Sequence, residues 1–526
     1  MLQRRVWSRG WIAAAVLLVG LAQVGFAGTL DGVQASADAS NETRMTKDQA
    51  KDLFRSVDEI LGFVSSDTKL PIEHSVKRKL ISRDEVNHYL KAKFDEDESA
   101  KRMERSEIVL KKFGLLDRDF HLRPFLLALL TEQIAGFYDN KTKTVNLLDW
   151  IQPDEQKPVL AHELTHALQD QRVGLTKWSD VSLTGISYTV ADDNKHLQVD
   201  EAETAREAVA EGQAMAVFID YTMRSTGKTI ADAPELADKM KDSVADNGGS
   251  PVMARAPLLL QESLLFPYSE GLGFEQAILV KAGKEAAFAG VLANPPSSSF
   301  EIMHPAAYMR HTPVPVLHLP DIHPLIEADY TPYDLGVMGE LDVRILAELF
   351  GGREIADALA PAWNGGVYYA AQRKSAVTDA QKESTASIGL LYSSRWKNPD
   401  SARTFLRIYS AQIPRKYSGV VRRSKDELDD SEQVYSTNEG DVYLSISGAG
   451  VFVSEGFDLA LARKLRDRIQ SVQSDAPLQV AGAPELHEPA LTMARGLSSF
   501  GVMKAGGIGR YTSEGHTTAM GPDHVR

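Results

Sequence analysis

Two histidines stand four residues apart, at 162 and 166, in "VLAHELTHALQDQ", and a glutamate directly follows the first. On an α-helix, at roughly 100° per residue, that spacing leaves the two imidazoles about 40° apart on one face. Imidazoles one turn apart can share one divalent cation, which for zinc lies at about 2.0–2.1 Å from each nitrogen. Glu163 sits on the flank of the same side. It is rotated too far to be a ligand, but it can take the proton of a water on the cation as that water attacks a carbonyl. Leu160, Leu164, Ala167 and Leu168 gather on another side and can bury themselves. The stretch therefore divides into a packing face and a face of two imidazoles and a carboxylate.

This is the HExxH pattern of zinc metallopeptidases. A catalytic zinc needs a third protein ligand and one open position, and residues 167–195 contain no histidine. A carboxylate on a following helix is the remaining common solution. "VDEAETAREAVAEGQAMAVFIDYTM" (199–223) predicts such a helix and offers Glu203, Glu207 and Glu211. Glu207 and Glu211 share a stripe with Ala214, Met215 and Phe218, where an unpaired carboxylate is costly unless a cation meets it. Glu203 fits a solvated face. Glu211 is the preferred third ligand, with Glu207 as the alternative. Ala208, Ala210, Gly212 and Ala214 would let two helices approach closely across the metal. Asp170, one turn after His166, and Glu207, one turn before Glu211, are positioned to orient an imidazole.

The elements around this pair are readable in outline. Residues 45–130 repeat apolar residues at three-to-four spacing and predict an N-terminal helical region, integral to the catalytic unit. "FHLRPFLLALLTEQIAGFYD" predicts a buried helix running into a strand. "GFYDNKTKTVNLLD" (136–149) predicts a hairpin turning at Asn140 to Lys143. The HExxH helix starts at about Asp154 or Pro158. Residues 245–335 predict short helices between prolines and serines, and four histidines there (His304, His311, His318, His323) are expected as loop residues near the site, without a second metal. A C-terminal α+β module spans 335–475, with strands at 387–396, 432–436, 441–447 and 450–454 and helices at 399–413 and 457–472. Residues 476–526 lack periodicity and are expected as a disordered tail.

The chain of 526 residues is long enough for two to four domains, and 43% hydrophobic with 25% charged residues is ordinary for a globular protein. A net charge of −14 without a basic run argues against a nucleic-acid partner. Arg4, Arg5 and Arg9 precede the apolar stretch 11–27, which ends in Gly25 and Ala27. This predicts a signal peptide (1–27) cleaved near Ala27, a flexible leader (28–44), and a protein exported to the periplasm or the cell exterior. No later run is long and apolar enough to predict a membrane span. There is no cysteine, so stability must come from the core and from any bound metal.

"HELTH" (162–166) and "AEGQA" (210–214) resemble the two motifs of the gluzincins, zinc peptidases whose third ligand is a glutamate. The resemblance implies zinc bound by His162, His166 and Glu211, with Glu163 as the catalytic base. The 45 residues from His166 to Glu211 exceed thermolysin's spacing, with a polar loop between. The run 136–171 and "PPSSSFEIMHPAAY" (295–308) are similar to a set of exported bacterial proteins with a predicted metallopeptidase domain, over roughly residues 75–310. Gluzincins supply a Tyr or His from later in the chain to stabilise the oxyanion, and Tyr268, His304 and Tyr308 are the candidates here. The expected whole is α+β: a mostly helical zincin-like metallopeptidase core (131–330) with a small edge sheet, followed by the C-terminal module. The expected substrate is a peptide or protein lying extended beside the strand within 134–148. Two other outcomes stay open: a non-catalytic binding or scaffold protein on a peptidase fold, and a zinc hydrolase of a non-peptide amide.

Overall fold

The computed structural model describes residues 44–96, 98–179, 189–233, 251–471 and 473. The expected signal peptide, nearly all of the leader and the expected tail lie outside the described residues. The described chain mixes helix and sheet, as an α+β protein must.

Thr46 opens the first helix, α1 (Lys47–Thr68). Its hydroxyl accepts from the Gln49 N–H while the Gln49 side chain returns to the Thr46 N–H, so two orphan donors are satisfied at once. Leu53, Val57, Ile60, Leu61 and Val64 form its buried face. Next come β1 (Lys77–Ile81), α2 (Arg83–Glu96), α3 (Glu98–Phe113), α4 (Leu122–Gln133), β2 (Phe137–Asp139) and β3 (Thr144–Leu148). The 45–130 region is thus not purely helical: β1 runs parallel to β3 and completes a sheet of order β1-β3-β2. Its sequence, "KRKLI", carries three charges and shows no apolar alternation that would mark a strand. The β2–β3 hairpin turns where expected. Asp139 Oδ1 accepts from the Lys141 N–H at 2.9 Å, and Lys143 takes a left-handed conformation at φ 56°.

α5 (Pro153–Val173) follows, with proline at its first position and Gly174 in left-handed conformation closing it. Gln156 fixes its entry by accepting from Leu148 N–H and donating to the Leu148 and Ile151 carbonyls at 2.8–2.9 Å. After α6 (Leu175–Ser179) and α7 (Val190–Val199) comes α8 (Ala202–Met223), buried almost all the way round. It packs on α5 and α1, and on α9 (Leu258–Ala282). α9 overturns the expectation of only short helices between 245 and 335. Its 25 residues include Pro267, which counts against a helix in sequence, yet tertiary packing overrides that preference. A Cβ on Gly212 of α8 would stand 2.2 Å from the Gly271 carbonyl oxygen, and one on Gly271 would stand 2.2 Å from that of Ala208. Two of the small residues of α8, Ala208 and Gly212, therefore serve its contact with α9, while Ala210 and Ala214 face α5.

The C-terminal unit starts five residues earlier than expected. It comprises β4 (Tyr330–Val337), α10 (Glu340–Gly351), β5 (Trp363–Arg373), β6 (Ile388–Trp396), α11 (Pro399–Lys416), β7 (Val421–Arg422), β8 (Glu432–Thr437), β9 (Gly440–Ser447), β10 (Gly450–Glu455) and α12 (Leu459–Gln470). The strands form one antiparallel sheet of order β4-β5-β6-β10-β9-β8-β7. β6 is buried at every residue but Arg395, so both faces of the sheet are covered there. Lys112 of α3 is wholly buried and pairs with Glu439 at 2.9 Å, so the N-terminal helices are bolted to this sheet. On the other side, Asp200 Oδ2 accepts from the Val337 N–H at 2.7 Å, and Glu201 accepts from Ser299. A Cβ on Gly339 would fall 1.9 Å from Glu201 Oε1, which shows how tightly the sheet unit closes on the start of α8. Among the described residues no helix is long and apolar enough to cross a membrane.

Two outcomes follow from these contacts. Gly271→Ala drives a methyl into a backbone carbonyl and lowers stability by at least about 1–3 kcal/mol, read by denaturant unfolding. Burial, aided by Asp342 and Asp200 and opposed by Ser299, raises the Glu201 carboxyl from 4.5 to about 8. The folded chain thus holds a proton that the unfolded chain releases, so this contribution is complete below about 4.5 and is lost as the pH rises to about 8. Unfolding midpoints measured across that window should fall with pH in the unsubstituted chain, and Glu201→Gln should flatten the slope.

Candidate metal centre

The i, i+4 spacing on α5 brings His162 Nε2 and His166 Nε2 to 3.1 Å of each other. Glu211 reaches across from α8, its Oε2 3.2 Å from His162 Nε2 and 3.5 Å from His166 Nε2. Ligand atoms about 2.0–2.1 Å from one ion in tetrahedral directions stand roughly 3.3–3.4 Å apart, so the three nitrogen and oxygen atoms already have the spacing of a ligand set. Among the described residues this is the one group of three such side chains able to hold a metal ion. All three are buried, with Glu211 at 0% exposure.

Charge points the same way. Apart from the two imidazoles and the Tyr268 hydroxyl beside it, no donor reaches either Glu211 oxygen. Burial alone pushes this carboxyl up, but the imidazoles of His166 and His162 outweigh it and hold the group down at about 2. Burial, with His166 adding to it, lowers the pKa of His162, against Glu211 and the Ala214 carbonyl. The pocket thus gathers a carboxylate and nitrogen lone pairs at one point, an arrangement that a cation completes.

Glu163 stands beside the trio. Its Oε2 accepts from the Tyr138 N–H of β2 at 2.8 Å, while Oε1, also buried, has no hydrogen-bond partner. Burial first, then the Glu211 charge, raises its pKa well above the ordinary value, against the Tyr138 N–H. Of the three oxyanion candidates, only Tyr268 is brought here. Its ring lies 6.5 Å from that of His162 at 19°, and its buried hydroxyl faces the Glu211 carboxylate. Burial raises its pKa strongly, with Glu211, Glu207 and Glu163 adding to it, so the phenol keeps its proton. His304 instead meets the Glu340 carboxylate at 2.8 Å, and the Tyr308 hydroxyl donates to the Asn294 carbonyl at 2.6 Å. His323 stands between Asp193 and Asp321.

The partners of the ligands differ from expectation. Asp170 does not touch His166. It accepts from the Tyr138 hydroxyl at 2.8 Å and the Leu175 N–H at 3.1 Å, and pairs with Lys143. It therefore braces the hairpin against α5, and Tyr138 is held by its hydroxyl while its N–H holds Glu163. Glu207 is buried but lies outside the ligand group. The side chain that meets His166 is Gln169, whose Oε1 lies 2.8 Å from Nδ1. Its Nε2 donates to the Ala210 carbonyl at 3.0 Å and to Gln213 Oε1 at 2.9 Å. One amide thus registers α5 against α8 on either side of Glu211. Gln169, Gln213 and Tyr138 were not picked out from sequence. For the glutamines the signal was there: Gln169 lies three residues after His166, and Gln213 two after Glu211.

No family model matches the chain, and neither does any curated protein or solved structure. Glu211→Gln should lower zinc affinity by more than the ~10–100-fold typical of losing an outer partner, whereas Glu207→Gln should leave it nearly intact. Metal analysis after dialysis against graded zinc buffers separates the two.

Proposed function

We propose that this chain is an exported zinc-dependent peptidase of gluzincin type, with a zincin-like catalytic core. The observation that carries the reading is the convergence of His162 Nε2, His166 Nε2 and Glu211 Oε2 at 3.1–3.5 Å inside the fold, with Glu163 alongside. Zinc held by these three supplies Lewis acidity toward a substrate carbonyl and toward a water molecule. The chain's own residues then handle the protons. Glu163 keeps Oε1 free, takes the proton from the attacking water and passes it to the leaving amine. The Tyr138 N–H anchors the other oxygen, so the carboxylate cannot swing away. Tyr268, kept protonated among three carboxylates, donates its O–H to the carbonyl oxygen as negative charge grows there.

The hairpin supports a peptide as substrate. β2 is an outer strand of its sheet, and Glu163 is bonded to that strand's backbone. A peptide extended along β2 would pair backbone to backbone and carry its scissile bond past Glu163. The arginines and apolar run at 1–27 fit work outside the cytoplasm.

A peptide-library digest by the purified mature chain, with and without chelator, tests the reading. Cleavage should vanish on chelation and return with zinc. Glu163→Gln should retain its zinc while turnover falls by about 10²–10⁴-fold. A zinc-loaded chain that cuts no peptide would transfer the protein to the class of binding proteins built on a peptidase-like site, and a Glu163→Gln chain that cuts as before would remove Glu163 from the role of base.

A further inference from the structure

We propose that Gln169 is a positioning residue that presets the tautomer of His166, and that Gln213 and three backbone carbonyls give it the polarity to do so. The inference rests on the metal site proposed above and concerns how that site is made ready. An amide side chain has nearly the same shape in either of its two orientations, so its sense must be set by neighbours. Here the neighbours leave one choice. Gln213 Nε2 donates to the Ala287 carbonyl at 2.9 Å and the Phe288 carbonyl at 3.2 Å, both in the single π-helical turn Ala286–Gly290. Carbonyl oxygens can only accept. A reversed Gln213 would set oxygen against oxygen at both contacts, so its Oε1 must face Gln169.

That oxygen, and the Ala210 carbonyl, both demand donors from Gln169, at 2.9 Å and 3.0 Å. Gln169 therefore spends both N–H groups on α8 and turns Oε1 to His166 Nδ1 at 2.8 Å. An acceptor at that nitrogen requires a proton on it. In the neutral ring the lone pair is then left on Nε2, the atom that points at His162 and Glu211. The whole path is buried: Gln169 and Gln213 are both at 0% exposure, so no bulk water competes for the amide. A carboxylate in the place of Gln169 would also accept from Nδ1, but it would have no protons for Ala210 and Gln213. The glutamine performs both tasks, selecting the tautomer and registering α5 against α8.

These two tasks can be separated by substitution in the full-length mature chain. Gln169→Met removes the acceptor and the donors. Gln169→Glu keeps the acceptor and removes the donors. If the amide acts through the tautomer, zinc affinity, measured by competition with a chromophoric chelator, drops by about 10–100-fold in Gln169→Met and stays within about threefold in Gln169→Glu. A Gln169→Met chain with unchanged affinity, or a Gln169→Glu chain that falls as far, overturns the proposal and leaves Gln169 as a simple tie between helices. A measurement without substitution guards against variants that do not fold. In the metal-free parent chain with ¹⁵N-labelled histidine, multiple-bond proton–nitrogen spectra should show His166 Nδ1 carrying a proton, with the signal assigned by its loss in His166→Gln. Nδ1 without a proton overturns the proposal. A parent chain that binds no zinc at all refutes the proposed function instead, so the two failures are told apart.

Discussion

A carboxylate sealed among helices, with no bulk water to solvate it, is the constraint around which this site is arranged. Removing an ion such as Glu211 from water costs several kcal/mol unless opposite charge and well-placed donors compensate. The small and apolar neighbours of Glu211 on α8 cannot do so. The α5 imidazoles bring two nitrogens to one oxygen, Tyr268 of α9 brings a phenol, and a cation between the helices would complete the set. For such a cation to be held, the helices must keep their register and the nitrogens must offer it lone pairs rather than protons. The amide of Gln169 bears on both, through Ala210 and through His166.

The third helix completes the set. Gly212 lies next to Glu211 in sequence and meets Gly271 of α9 with no space for a methyl between them. That contact presses α9 close enough for Tyr268, one turn earlier, to lie over His162. Glu211, the glycine contact and the phenol are thus linked along a short path. Burial first, then Glu211, Glu207 and Glu163, oppose loss of the Tyr268 proton and keep it a donor.

The convergence of His162, His166 and Glu211, with Glu163 alongside, was legible because it depends on local periodicity: residues three or four apart share a face, and a charge on an apolar stripe needs a reason. The hairpin at 136–149 and the strands after 387 were legible through alternation and turn chemistry. What stayed hidden depends on distant partners. α9 looked broken because Pro267 and its glycines disfavour helix in isolation, while their packing value shows only against α8. β5, with glycines at 365 and 366 and little alternation, is buried at most positions because both faces of its sheet are covered. Asp170 looked like the histidine's partner by spacing, but the hairpin's Tyr138 and Lys143 claim it from above. Helical spacing identifies neighbours on one cylinder and is silent about what arrives from another.

The buried pair of Lys112 and Glu439 joins positions 327 residues apart. Neither partner tolerates burial alone, so the early helices have no settled resting place until the last strands of the sheet exist. A polypeptide made or threaded from its N-terminus would carry its histidine-bearing segment for a long interval before that closure. Late tying of two distant positions means that the N-terminal helices finish packing only after the β8–β9 end of the sheet has formed.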